Sequence, residues 1–431
     1  MDGRLRSLDV FRGITIAGMI LVNNPGSWGH VYPPLLHAEW HGITPTDWIF
    51  PFFLFIVGVA IPLAVSKRLS RGDSKQKVLL KSLSRAGIIL GLGLFLAAFP
   101  NFGMPAGIKG IQWLHYGALL VLIIGLFLLG TSHVYSNKQL IRRIGTILFA
   151  ITALILLIIG IQEYDLTSMR FPGVLQRIAI VYAFSAIAYL YLDWKQMVWL
   201  SVGLLLGYWA LMSLVLVPGI GAPNLEPENN IGAWLDRMIF GNHLWVQSKT
   251  WDPEGLISTI PAIASGISGV LVGIWIKSDR EAYQKVAGIL AMGVIIVALG
   301  WIWHLAFPIN KKLWTSSYVL HTTGVAMLFL GVTYWLIDVL KISKWSWPFE
   351  VYGMNALFVF VLSGFIAKLF YKIYWFEAGE VKVTLGSWIY NTFFTPFLGD
   401  YQASLAYAIA NVLFFFLLSW LMYRKRVFVK I

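Results

Sequence analysis

Long stretches free of Asp, Glu, Lys and Arg constrain this chain more than any other feature. The hydrocarbon core of a bilayer is about 30 Å thick, so a helix needs about 20 apolar residues to cross it. Such stretches run over 13–29, 48–66, 86–108, 110–137, 144–162, 178–192, 196–225, 255–276, 286–310, 313–337, 351–367 and 401–423. In lipid the backbone must satisfy its own hydrogen bonds, which leaves helices or closed barrels. These segments are continuously apolar rather than alternating, which excludes a barrel. The predicted fold is all-α: a polytopic membrane protein of 12 transmembrane helices in one domain over 1–431. Charged residues make up 12% of the chain, against about a quarter in a soluble domain. That excludes an ordinary soluble enzyme, a nucleic-acid module and a disordered chain. The absence of Cys excludes disulfides, thiol catalysis and Cys-based metal sites. The first apolar run has no small-residue cleavage site, so it reads as a retained span rather than a signal peptide.

Basic residues orient the spans, because Lys and Arg accumulate on cytoplasmic loops. With the N-terminus placed in the cytoplasm, 22 of the 33 Lys and Arg fall on inner segments and 8 on outer ones. The basic loop 67–85 dominates the inner set. Both termini are therefore expected in the cytoplasm, which an even span count also requires. This bias accounts for the net charge of +13 without a nucleic-acid partner.

Polar and aromatic residues gather on the outer side, chiefly in loops 24–46 and 218–254. The first holds His30, His37 and His41 with Glu39, Trp40 and Asp47. A His in an aromatic loop is either a structural hydrogen-bonder or a base, and Asp47 or Glu39 would orient it and raise its basicity. The spacing of the three His in a Pro-rich loop is weak evidence for zinc, and no metal is expected. Ser317 and His321 share a helical face four residues apart, but a Ser–His dyad needs a third orienting group. In the second loop, 229–237 reads as an interfacial amphipathic helix. Asp252 and Glu254 stand at the start of the helix that follows.

Charged residues inside spans count as functional candidates. At 100° per residue Asp9, Arg12 and Asn23 share one face of the first helix, with Arg12 and Asn23 about 16 Å apart along the axis. The alternatives for them are an interfacial ion pair and an end cap. Gln176 and Arg177 lie about one turn inside the membrane. Arg177 is either an anchor reaching the surface or an anion contact in a cavity. Tyr352-Gly353-Met354-Asn355 opens a later helix, by packing through Gly353 or as part of a site.

Several of these motifs resemble the heparan-α-glucosaminide N-acetyltransferase family. They are Arg4 to Gly13, Val22-Asn23, His37-Ala38-Glu39-Trp40, Asp47 with Phe50-Pro51, and Pro172 to Arg177. Asp252-Pro253-Glu254-Gly255, Pro308-Ile309-Asn310-Lys311 and Gly353-Met354-Asn355 continue the match in order. The resemblance implies acetyl transfer from cytoplasmic acetyl-CoA to the amine of a glucosamine-type sugar on the periplasmic side of a bacterial inner membrane, by a homodimer. It implies His37, Asn23 and Asp47 as catalytic residues, and Asp9, Arg12, Asn23 and Asn355 as the acetyl-CoA contacts. Trp40, Gln176, Arg177, Asp252, Glu254, Asn310, Lys311, Ser317 and His321 fall to the acceptor. Lysosomal members carry a leading helix and a luminal domain that are expected to be missing here. The loop before His37 is longer than theirs, and His41 replaces their usual Asn. An O-acetyltransferase of an envelope glycan and a secondary transporter are the alternatives, and the lack of an internal repeat weakens the transporter.

The charge bias makes a direct prediction in a Cys-free chain. Single Cys replacements near Ser27 and Asn229 should react with an impermeant reagent from the periplasm, and those near Gly72 and Asp279 only from the cytoplasm. Reversal at either pair overturns the orientation.

Overall fold

The structure, a computed structural model, describes residues 5–98, 117–118, 120–122, 124–125, 127–129, 131–132, 135–163, 167–372, 374–378 and 381–429. Helix α1 spans Arg6–Asn23, α2 Ile49–Leu69, α3 Lys75–Ala98, α4 Lys138–Glu163, α5 Val174–Tyr191 and α6 Trp194–Leu214. Then come α7 (Ile231–Phe240), α8 (Thr259–Lys277), α9 (Ala282–His304), α10 (Ser316–Tyr334), α11 (Trp347–Met354) and α12 (Ala356–Lys372). A two-stranded hairpin, β1 (Tyr374–Ala378) and β2 (Val381–Thr384), precedes α13 (Leu385–Phe393) and α14 (Asp400–Arg424).

Among the described residues nine helices are long and apolar enough to cross a membrane, or ten if one bent pair is a single span. This is a multi-pass membrane protein. The difference from the expected count has physical sources. Helix α1 carries Arg6, Asp9 and Arg12, more charge than such a span usually holds. The stretch 351–367 is a broken element, bent by 70° between α11 and α12. The stretch 110–137 is described only in part, and the expected break at 107–110 lies outside the described residues. As expected, the chain is all-helical in class, with one short hairpin among the described residues. The β1–β2 hairpin pairs antiparallel, Phe376 with Val383 and Ala378 with Val381, in a segment where two apolar runs are separated by residues of high strand propensity.

Local chemistry sets the helix ends. Pro45 stands at the first position of a short 3₁₀ turn, and Thr44 and Asp47 make a reciprocal capping box there. Such a box satisfies amide groups that a helix start leaves open. Helix α2 runs on from this turn and ends in Lys67 and Arg68, cations that suit the negative end of the helix dipole. The stretch 229–237, expected as an amphipathic helix, forms α7 over Ile231–Phe240, capped by the Asn230 side chain, which accepts from Ala233 N at 2.8 Å.

Helix α2 is the central post. Phe50, Phe53 and Leu54 pack with Ile16 and Ile20 of α1, Ile178 and Val181 of α5, and Tyr318 and Val319 of α10. On its other side Phe55, Ile56 and Val59 meet Val272 and Ile276 of α8 and Leu330 of α10. Helix α1 crosses α11 through a pair of glycines. A methyl on Gly13 would overlap the Phe349 carbonyl, and one on Gly353 would overlap the Asp9 carbonyl. Small residues let membrane helices approach this closely.

Gly353→Ala should therefore destabilise the protein by about 1–3 kcal/mol through overpacking. A thermal melt in detergent checks this, with Gly87→Ala as the control, since a methyl there meets nothing within 4 Å.

Candidate active site

The polar turn ahead of α2 gathers its side chains around one buried carboxylate. Asp47 has 1% side-chain exposure, while the His37 imidazole beside it has 43%. His37 Nδ1 lies 2.7 Å from Asp47 Oδ1. Asp47 Oδ2 accepts from Ala38 N at 3.1 Å, and from Thr44 N and Thr44 Oγ1, each at 3.0 Å. Tyr318 of α10 donates its hydroxyl to the Asp47 backbone carbonyl at 2.6 Å. An ionised carboxylate can only accept, so the proton between the two rests on Nδ1. The lone pair is then on Nε2.

The segment 305–315 closes over this group. Gly42 N donates to Ile309 O at 2.8 Å, and Asn310 Oδ1 accepts from Leu313 N at 2.9 Å. Trp314 has φ 55°, a left-handed conformation rare for a bulky residue and costing on the order of 1–3 kcal/mol. Edge-on contacts to Phe50 at 5.0 Å and Tyr318 at 5.2 Å hold it in place. The turn delivers Lys311 to His37, with Nζ 2.9 Å from Nδ1, 3.1 Å from Nε2 and 3.5 Å from Asp47 Oδ1. Burial lowers the Lys311 ammonium below its ordinary range, against the pull of Asp47 and Glu254. Beside it Lys312 donates to Glu39 O and lies over Trp40 and Trp251, at 5.8 and 5.9 Å from the ring centres. Those two indoles meet edge to face at 5.3 Å.

The other end of the molecule holds a cavity of about 330 Å³. Its walls are Phe53, Val57, Ala60 and Ile61 of α2, Ile89 of α3, and Ile178 and Tyr182 of α5. Arg12, Arg85, Val65, the α11–α12 break and Val429 line its basic end. Val65 to Phe53 is about 18 Å of α2, and Asp47 lies about 9 Å beyond. Arg12 Nη1 pairs with Asp9 Oδ1 at 3.0 Å and also points to Gly353 O at 3.4 Å. Asn355 stands at the break, but its amide holds the C-terminal tail. It donates to Val427 O at 3.0 Å and accepts from Val429 N at 2.9 Å.

The structure thus brings together His37, Asp47 and Lys311 at one end, with Trp40 adjacent, and Arg12 with Asn355 at the other. It gives several remaining candidates bracing roles. Asp252 and Glu254 both pair with Arg170. Arg177 is buried, donates to Gly255 O and Ser258 Oγ, and lies 5.0 Å over the Trp314 ring. Gln176 donates to Phe171 O at 3.1 Å. Asn310 is fully buried and braces its own turn, with His41 Nδ1 3.4 Å from its amide. The Ser317–His321 dyad does not form. Ser317 donates to Phe307 O at 2.5 Å, and His321 packs between Trp301 and Trp48 with neither ring nitrogen hydrogen-bonded. Asn23 is exposed at the last turn of α1 and takes no part in the His37–Asp47–Lys311 bonds; its neighbour Asn24 is buried and caps the helix at Ile20 O, 2.8 Å. His30 turns away to Asp400 at 3.6 Å. Sequence reasoning missed Lys312, Tyr318 and the part played by Thr44. Only Thr44 left a signal, in the Thr-x-x-Asp spacing of a capping box. Among the described residues no group of three or more His, Asp or Glu is placed to hold a metal ion.

The family described as "Domain of unknown function (DUF5009)" matches residues 4–218. Human heparan-alpha-glucosaminide N-acetyltransferase is 26% identical over 472 aligned positions, covering 99% of this chain and 60% of that protein. The mouse protein of the same name is 25% identical over 494 positions, with the same coverages. This chain is similar to heparan-alpha-glucosaminide N-acetyltransferases over nearly its whole length. It spans about 60% of the length of these curated relatives, and nearly all of it aligns, so both ends of the cavity and the His37 turn lie within the shared region.

Asp47→Ala should cost about 2 kcal/mol or more, because it strands the buried donors of Ala38 and Thr44. Tyr318→Phe, which loses one neutral hydrogen bond, should cost about 1 kcal/mol. Denaturation of the two variants side by side reads the difference.

Proposed function

We propose that this chain is a transmembrane acetyltransferase of a bacterial inner membrane. It would take acetyl-CoA from the cytoplasm and acetylate the amine of a glucosamine-type sugar on the periplasmic side. One observation carries the reading: an exposed imidazole backed by a buried carboxylate, 2.7 Å away, in line along α2 with an apolar cavity that has guanidinium groups at its far end. The relatives' names supply the reaction type. The cavity suits a thioester on a flexible arm with an anionic end. Its apolar walls fit the arm, and Arg12 and Arg85 offer charge for phosphates, as guanidinium groups do well. Acetyl-CoA, when bound, supplies an activated acetyl group.

The chain's own residues do the rest. Asp47 fixes the His37 tautomer and steadies the imidazolium that forms when Nε2 takes a proton from the acceptor amine. Trp40 and Trp251, over which Lys312 Nζ lies, offer flat apolar faces beside the turn that carries Lys311, the kind of surface on which the C–H face of a sugar ring rests. Asn23, catalytic by resemblance, is exposed at the end of α1, and its amide is a donor of the type that steadies a thioester oxyanion. The orientation with both termini inside, and a single functional unit over the whole chain, are parts of the same proposal.

The decisive experiment uses purified protein in liposomes, with labelled acetyl-CoA on one side and a panel of glucosamine-type acceptors on the other. Label should move to an amino sugar across the bilayer. His37→Ala should lower kcat on the order of 10²-fold or more while acetyl-CoA still binds. Arg12→Ala should weaken acetyl-CoA binding with little effect on the acceptor KM. Uptake of the sugar without acetylation would mean a transporter, and transfer to hydroxyl groups alone would mean an O-acetyltransferase.

A further inference from the structure

Lys311 holds an amine in contact with the imidazole that serves as the proposed base. Lys311 Nζ lies against the His37 ring, 2.9 Å from Nδ1 and 3.1 Å from Nε2, while Nδ1 is turned to Asp47. A substrate amine that gives its proton to His37 must come within about 2.6–3.2 Å of the base, so it competes with Lys311 for the space beside the ring. The lysine does not wander there by chance. Its turn is rigid: Ile309 is 1% exposed and Asn310 fully buried, with Asn310 N held by Thr315 Oγ1 at 3.0 Å. Lys312, the adjacent residue, is turned to Glu39 O and the faces of Trp40 and Trp251. Geometry thus separates two neighbouring lysines, one at the base and one on the aromatic platform.

We propose that Lys311 is itself an acetyl acceptor, an internal stand-in for the sugar amine that is modified by an acetyl thioester when no external amine is present. The proposal rests on the acetyltransferase reading. In the step, neutral Nζ attacks the thioester carbonyl carbon. The N–C bond forms, the C–S bond breaks and the thiolate leaves. One N–H proton passes to His37 Nε2 and from there to the thiolate. The products are an Nζ-acetyl-lysine and a free thiol. Burial favours the neutral amine that this attack needs. The acetylated side chain no longer carries a cation beside Asp47, and its acetamide stands at the Nε2 edge, so the modified protein is blocked to acceptors. A bound amino sugar displaces Lys311 and protects it.

The test incubates full-length protein with isotopically labelled acetyl-CoA and reads each lysine by peptide mass spectrometry, alongside transfer to glucosamine in the same preparation. Label should accumulate on Lys311 and not on Lys312 or Lys249, fall when glucosamine is added, and form on the order of 10²-fold more slowly in His37→Ala. Lys311→Arg keeps the cation, removes the nucleophile, and should abolish the label while the protein still binds acetyl-CoA. If glucosamine is acetylated but Lys311 stays unlabelled, the inference fails and the acetyltransferase reading stands. Equal labelling of Lys312, or labelling indifferent to His37→Ala, means uncatalysed chemistry and also overturns it. Labelling of neither lysine nor sugar overturns both.

Discussion

A buried carboxylate in a membrane protein has to be answered by donors, and Asp47 draws them from three directions. Its own turn offers Thr44, the preceding loop offers Ala38 N and the His37 ring, and the distant segment 305–315 offers Lys311. Leaving any of these groups unmatched would cost several kcal/mol in low-dielectric surroundings. The same residue caps the start of α2, the helix against which α1, α5, α8 and α10 pack. The site and the central post of the fold therefore share one anchor. A change at Asp47 cannot be confined to chemistry, and a change in the packing of α2 cannot leave His37 undisturbed.

The opposite end follows a different rule. There the backbone itself is broken at Asn355, and the break is tolerated because the freed groups find partners. Asn355 holds the C-terminal tail, and Arg12 reaches Gly353 O. Irregular backbone at membrane depth persists where it is buried in protein or lines a cavity, and here it lines one. The glycine contacts between α1 and α11 press these two elements together and so set the position of Arg12. Charge near the tail, apolar wall along α2 and an imidazole past its far end give the molecule a polarity along its length. The proposed transfer of an acetyl group across a bilayer needs that polarity. The alignment with the N-acetyltransferases extends over both ends, which is why the two halves of the site are read as parts of one machine.

Much of the architecture was legible in the sequence, because hydropathy and charge are properties that each segment carries by itself. The expected basic loop 67–85 is mostly the ends of α2 and α3, joined by the short connection 70–74, whereas the apolar runs and an amphipathic helix near 229–237 follow from local composition. So does the candidacy of His37, Asp47 and Arg12, as ionisable residues in apolar or aromatic surroundings. What remained hidden was pairing between remote segments. Lys311 is 274 residues from His37 in the chain, and no spacing rule connects them. The Ser317–His321 spacing looked like a dyad on one helical face, yet Ser317 bonds to a carbonyl of the preceding loop instead. Arg177 stood open between a surface anchor and an anion contact, and Asp252 and Glu254 fell to the acceptor by resemblance. Tertiary structure decided that they mostly meet one another's neighbours, with Arg170 taking both acids. Sequence by itself determined that this chain must live in a membrane and which residues were chemically conspicuous. Only the fold decided which of them face a cavity and which face each other, because that depends on how helices distant in sequence pack, and helix packing is set by shape rather than by composition.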